Sequence, residues 1–121
     1  FLTYLKGQQK METIKYEDFK KLDIRVATIL SAEPVEGADR LICLQLDAGE
    51  EENRQIVAGL REYYQPSEMV GKQIVIIANL EPRKMRGVIS NGMLMAASTD
   101  GFERVKLLTV DEEMPNGSVV S

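Results

Sequence analysis

The stretch Asp23-Ile24-Arg25-Val26-Ala27-Thr28-Ile29-Leu30 divides its side chains between two faces in steps of two. Ile24, Val26, Thr28 and Leu30 fall on one face of an extended strand, and Arg25, Ala27 and Ile29 on the other. The same period returns over residues 41–47, where Ile42, Leu44 and Leu46 alternate with Cys43, Gln45 and Asp47. Arg54–Ala58 reads as a short strand, and residues 73–78 (Gln-Ile-Val-Ile-Ile-Ala) as a buried β-branched one. Residues 93–97 and 105–108 are further apolar runs.

Breakers separate these runs. Pro34 and Gly37 predict a loop over residues 33–39, and Gly49 an acidic turn over 48–53. Asn116-Gly117 marks a turn before a final Val119-Val120 strand remnant. Residues 59–71, with Tyr63, Tyr64, Pro66 and Met69, read as an irregular connection holding one helical turn. Tyr16 and Phe19, at i and i+3, place a short helical turn over residues 16–21. Short strands at close spacing specify an all-β antiparallel domain. A five-stranded, partly open barrel of the OB type fits 121 residues. Residues 1–12 read as a tail or linker, and residues 13–121 as the domain. The first residue is Phe1, so a processed product, a fragment or a chain with added residues is expected, with Met11 as an alternative internal start.

Composition narrows the function. Hydrophobic residues make up 44% of the chain and charged residues 28%, which suits one globular domain. No apolar run approaches the roughly 18 residues that cross a bilayer, and residues 1–7 lack a secretory pattern, so no membrane partner is expected. A single cysteine, Cys43, cannot form an internal disulfide, and the cytoplasm is the expected compartment. There is no histidine, which removes His-based acid–base catalysis and His-containing metal sites. Gly71-Lys72 lacks the upstream glycine of a phosphate-binding loop. The residues around Ser90 are not a nucleophile elbow. The carboxylates show no spacing that favours a hydrolase. No enzyme activity, metal or cofactor is expected.

The net charge is −4, yet Arg83, Lys84 and Arg86 fall within four residues. An acidic body with one basic patch turns that patch toward a polyanion. The segment Asn79-Leu80-Glu81-Pro82-Arg83-Lys84-Met85-Arg86-Gly87-Val88-Ile89-Ser90-Asn91-Gly92-Met93 mixes cations, a hydroxyl and flexible methionines. That mixture suits an unpaired nucleic-acid strand. On its own a three-cation loop is more often a solvated turn. Asn91-Gly92 reads equally as a type I′ turn, Met93 as core, and Arg25 as the partner of an acid on the barrel wall.

Four blocks change the balance. Residues 23–27, then 35–41 (Val-Glu-Gly-Ala-Asp-Arg-Leu), then 54–60 (Arg-Gln-Ile-Val-Ala-Gly-Leu), then 79–98 occur in that order. Together they resemble the tRNA-binding OB domain at the C-terminus of many methionyl-tRNA synthetases, which also occurs in free-standing tRNA-binding proteins. The resemblance covers residues 13–120. It implies tRNA as partner, held largely by shape, a synthetase catalytic domain in cis, and a homodimer that uses a C-terminal β extension. It implies that Asn79, Lys84, Arg86, Ser90 and Met93 lie at the RNA face, with Arg25 and Arg40 carried over from matched blocks. Arg83 joins them on charge. Residues 83–86 are expected to supply affinity, Ser90 and Met93 fit, and residues 94–97 barrel wall. Many relatives have His-Pro and a Lys where this chain has Val35-Glu36 and Arg40. This variant resembles the synthetase-fused type more than the free-standing proteins. A free-standing tRNA-binding protein or chaperone and a protein–protein assembly module are the alternatives.

Overall fold

The computed structural model describes residues 11–121. Most of the expected tail lies outside the described residues. A single helical turn, α1 (Tyr16–Phe19), precedes the first strand, β1 (Ile24–Val35). β1 is longer than its alternation suggests. It runs through Pro34, which has no N–H for a ladder, and a register shift between Pro34 and Val35 accommodates it. The loop expected over residues 33–39 is therefore only the two-residue turn Glu36-Gly37, because Val35 already pairs with Ala38. The chain returns as β2 (Ala38–Asp47) and β3 (Arg54–Ala58).

β4 (Gln73–Ile77) and β7 (Met93–Leu94) complete one five-stranded antiparallel sheet in the order β3-β2-β1-β4-β7. β1 serves two neighbours: Ile24 to Thr28 pair with β4, and Thr28 to Val35 with β2. A second register shift, between Ile29 and Ser31, bends the strand where the neighbour changes. Leu30 at that bend is exposed, while Ala27 and Ile29 enter the core. Ile42, Leu44 and Leu46 are fully buried opposite them, as their period predicts. No ladder joins the edge strands β3 and β7 among the described residues. β3 is instead linked to residues 89–91, which precede β7: the Asn91 N–H donates to the Gln55 carbonyl at 2.8 Å, and Arg54, Gln55 and Ser90 side chains add further bonds.

The connection over residues 59–71 does more than join strands. Leu60 and Met69 are buried in the main core. Met69 ends α2 (Pro66–Met69), which Gln65 and Glu68 cap reciprocally, with Pro66 in the first turn where its missing N–H costs nothing. Truncating Met69 to Ala would remove about 2–5 kcal/mol.

The run at residues 93–97 splits. Met93 and Leu94 join the sheet, whereas β8 (Ala96–Ser98) leaves it to pair with β9 (Val105–Leu107). Ala96 and Ala97 are exposed, whereas the Met95 N–H still donates to Val75 O at 2.9 Å, so of the expected wall over residues 94–97 only Leu94 and Met95 stay against the sheet. Alanines offer too little apolar area to hold that strand on the core. The C-terminal residues 117–120 lie on the other edge of β1, with Val26 N–H donating to Ser118 O, Gly117 N–H to Val26 O and Val120 N–H to Ile24 O at 2.7–2.9 Å. That stretch of the β1 edge is thus paired within its own chain. Phe19, Met95, Leu108 and Val120 cover Ile24, Val75 and Ile77 on the outer face. No helix of the described residues is long and apolar enough to cross a membrane.

Candidate nucleic-acid interface

Between β4 and β7 the chain makes a hairpin, β5 (Arg83–Met85) and β6 (Val88–Ser90). Met85 pairs with Val88, which leaves Arg86 and Gly87 as a two-residue turn. Their φ angles, +52° and +82°, are the left-handed pair that a type I′ turn requires. The alternative reading of Asn91-Gly92 as a type I′ turn does not hold, because Asn91 lacks a positive φ. Gly92 serves close packing: a Cβ there would sit 2.6 Å from the Ile77 carbonyl oxygen.

Period two sorts the hairpin's side chains. Met85 and Val88 turn inward against Val35, Ala38 and Val57. Lys84 and its cross-strand partner Ile89 are exposed. Arg83 and Arg86 are also exposed, and none of the three cations takes part in an ion pair among the described residues. Arg86 shares a groove of about 380 Å³ with residues 37–41, so Arg40 lies beside it. Arg40 makes an ion pair with Glu62 at 3.2 Å, both side chains being largely exposed, and such a pair holds weakly.

Three expected cations thus share one hairpin, Arg83 on the side of Met85, Lys84 on the opposite side and Arg86 at the turn, with Arg40 beside Arg86. Met93 adjoins them. It is 49% exposed and lines a second cleft, of about 280 Å³, together with Arg83, Glu81 and Leu80 over buried Leu60 and Leu94. Ser90 lines the same cleft but is only 3% exposed. Its hydroxyl accepts from Val57 N–H at 2.9 Å and donates to Gly92 O at 3.1 Å. Asn79 accepts from Asp23 N–H at 2.9 Å and donates to Lys21 O at 2.7 Å, which ties the end of β4 to the start of β1. Arg25 is held by Asp23 and by the Gly117 carbonyl at 3.0 Å. These three side chains are engaged in holding the fold.

The residue that supports the hairpin is Arg54. Its Nη1 donates to Ala78 O at 3.0 Å and Asn91 O at 2.9 Å. Those carbonyls are where the cation-bearing excursion leaves the sheet and where it returns. Glu50 fixes the rest of the guanidinium at 2.6 and 3.0 Å and raises its already high pKa. The sequence marked Arg54 only as part of a matched block. Its position four residues after Glu50 was the available signal. Glu81, the acid inside the cation block, and Gly59 also line the cleft.

Residues 24–119 match the family model described as "Putative tRNA binding domain". A methionine–tRNA ligase of Caldanaerobacter subterraneus subsp. tengcongensis is 50% identical over 114 residues, which cover 94% of this chain and 17% of that protein. The chain thus spans about a sixth of the length of the curated relatives it matches. Among solved structures, a MetRS related protein from Pyrococcus horikoshii superposes with a TM-score of 0.85 at 37% identity, covering 92% of this chain and 100% of that one. The chaperone CsaA from Bacillus anthracis gives 0.83 at 31%, covering 91% and 100%. A model match across most of the chain, together with a solved relative covered end to end, places this chain in the tRNA-binding domain family.

Proposed function

We propose that this domain holds tRNA, largely by shape, on the face made by the β5–β6 hairpin and the groove beside it, and that it performs no chemistry itself. Arg86 carries the reading. It occupies the first position of a turn that favours Asn or Gly, at φ +52°, and is exposed without an ion-pair partner among the described residues. A bulky cation kept in a strained conformation on the surface is better explained by a ligand than by the fold. Arg83, Lys84 and Arg40 provide the rest of a polyanion site on an acidic chain. The methionine–tRNA ligase relatives favour such a ligase as parent, with this domain raising the effective concentration of tRNA at a tethered catalytic domain in the cytoplasm.

The same proposal reads the sheet as an OB-type barrel whose edges are joined through Asn91 and Gln55. It also includes a homodimer, which would double the basic face. Titration of tRNA at rising salt tests the core of it. With about four phosphate contacts, log K falls with a slope of about −3 against log salt. Light scattering tests the dimer. Replacing Lys84 and Arg86 with Ala weakens binding while the melting temperature stays in place. Binding without salt dependence overturns the proposal.

A second reading, a free-standing tRNA-binding chain, is favoured by end-to-end coverage of the Pyrococcus horikoshii and Bacillus anthracis proteins. The length of the reading frame upstream of Phe1 separates the two.

A further inference from the structure

We infer that the 280 Å³ cleft beside the hairpin is a pocket for one unpaired guanine base, whose pairing edge Glu81 reads. The inference rests on the hairpin being an RNA face.

The walls suit a flat ring. Val57, Leu60 and Leu94 are buried apolar lining residues, while Leu80 and Met93 remain 41% and 49% exposed at the same cleft. The volume lies near the lower end of small-ligand sites, roughly 300–1,000 Å³. A methionine thioether and a leucine offer polarizable and apolar surface for a base to lie against.

The charges choose the base. Arg83 and Glu81 both line the cleft, and neither is ion-paired among the described residues. Arg83 suits the phosphate attached to the base. A carboxylate on a polyanion-binding face repels that phosphate unless it meets donors. It can only accept. Guanine presents N1–H and N2–H side by side and satisfies both carboxylate oxygens. Cytosine offers one amino group. Uracil offers one N–H between two carbonyls, and adenine sets a lone pair beside its amino group. Ser90, the other hydrogen-bonding side chain in the wall, is committed to Val57 and Gly92, which leaves Glu81 as the reader.

The experiment uses the 121-residue chain and fluorescent oligouridines carrying a central guanine, adenine, cytosine, uracil or abasic site, read by anisotropy at low salt. Guanine is expected to bind about ten-fold more tightly than uracil or the abasic site, the scale of one bidentate base contact. Glu81→Gln should bring the four bases within about two-fold of one another while the salt slope is kept, because no cation is removed. Gly59→Leu is the second probe. A Cβ at Gly59 meets only the Arg40 carbonyl oxygen, at 3.9 Å, so the change narrows the cleft without straining the backbone. It should abolish the guanine preference with an unchanged melting temperature. Five equal affinities with retained salt dependence overturn the pocket and spare the hairpin reading. A guanine preference that survives Glu81→Gln overturns the role of Glu81. Absence of binding to any oligonucleotide overturns both readings, and displacement of the guanine oligonucleotide by an uncharged apolar peptide at the cleft overturns the choice of occupant.

Discussion

The Ser90 hydroxyl stands in for a missing strand: its oxygen accepts the buried Val57 N–H at 2.9 Å on the edge of β3 away from β2, and its proton goes to Gly92 O. Ser90→Ala would leave that N–H buried and unsatisfied, at about 1–3 kcal/mol. The expected outcome is a lower urea midpoint with unchanged tRNA affinity in the folded protein. Loss of affinity at unchanged stability would instead return the hydroxyl to the RNA face.

Cys43 lies half-buried on β2, opposite Val57 on one side and Glu33 on the other. Burial raises its pKa first, and the Glu33 carboxylate adds to the shift. The folded protein therefore keeps the thiol proton to higher pH than the unfolded chain does. Its contribution to stability is present below the ordinary thiol range and falls as pH rises through that range. Alkylation by iodoacetamide at pH 8 should be slower than for an unhindered thiol, with the urea-unfolded protein faster. Equal rates in the folded and unfolded protein would contradict this placement.

How much of this was legible depended on whether a residue's role was local. The period of Ile42, Leu44 and Leu46 is set by the strand itself, so it could be read directly. The length of β1 could not, because Pro34 argues for a loop and only a register shift against β2 lets the strand continue. The hairpin turn was hidden for a similar reason. Asn91-Gly92 is the stronger dipeptide for a type I′ turn, yet Arg86-Gly87 takes that geometry. Cations were visible as a cluster. Whether Asn79, Arg25 and Ser90 faced outward depended on partners 33 to 92 positions away, such as Gly117 for Arg25, and no spacing encodes those.

Arg54 makes the hairpin a fixed platform. Its side chain is 18% exposed and bonds both carbonyls at the hairpin's root. Arg54→Met keeps much of the volume but frees Ala78 O, Asn91 O and Glu50. A loss of about 2–4 kcal/mol is expected, together with faster amide exchange at Val57 and Asn91. Arg54→Lys keeps the charge but not the planar fork, so it should recover less than half of the loss. Full recovery by Lys would mean that charge alone matters at this position.

Arg86 opposes stability to binding. An L-residue with a Cβ is strained at φ +52°, by roughly 1 kcal/mol relative to glycine. Arg86→Gly removes that strain, and the exposed side chain gives up little buried area, so the variant should melt at a higher temperature. On the proposed RNA face the same change would delete a phosphate contact. Affinity for tRNA should fall, and the salt slope should become shallower by about 0.7 to 0.9. Arg86→Asn, which tolerates the left-handed region and lacks the charge, should behave like the glycine variant in both respects. Lys at this position keeps the strain and the charge, and should retain the salt slope without the gain in stability. If Arg86→Gly lost stability and kept its salt slope, the arginine would be a structural residue of the turn, and the RNA face would have to be sought away from the hairpin tip.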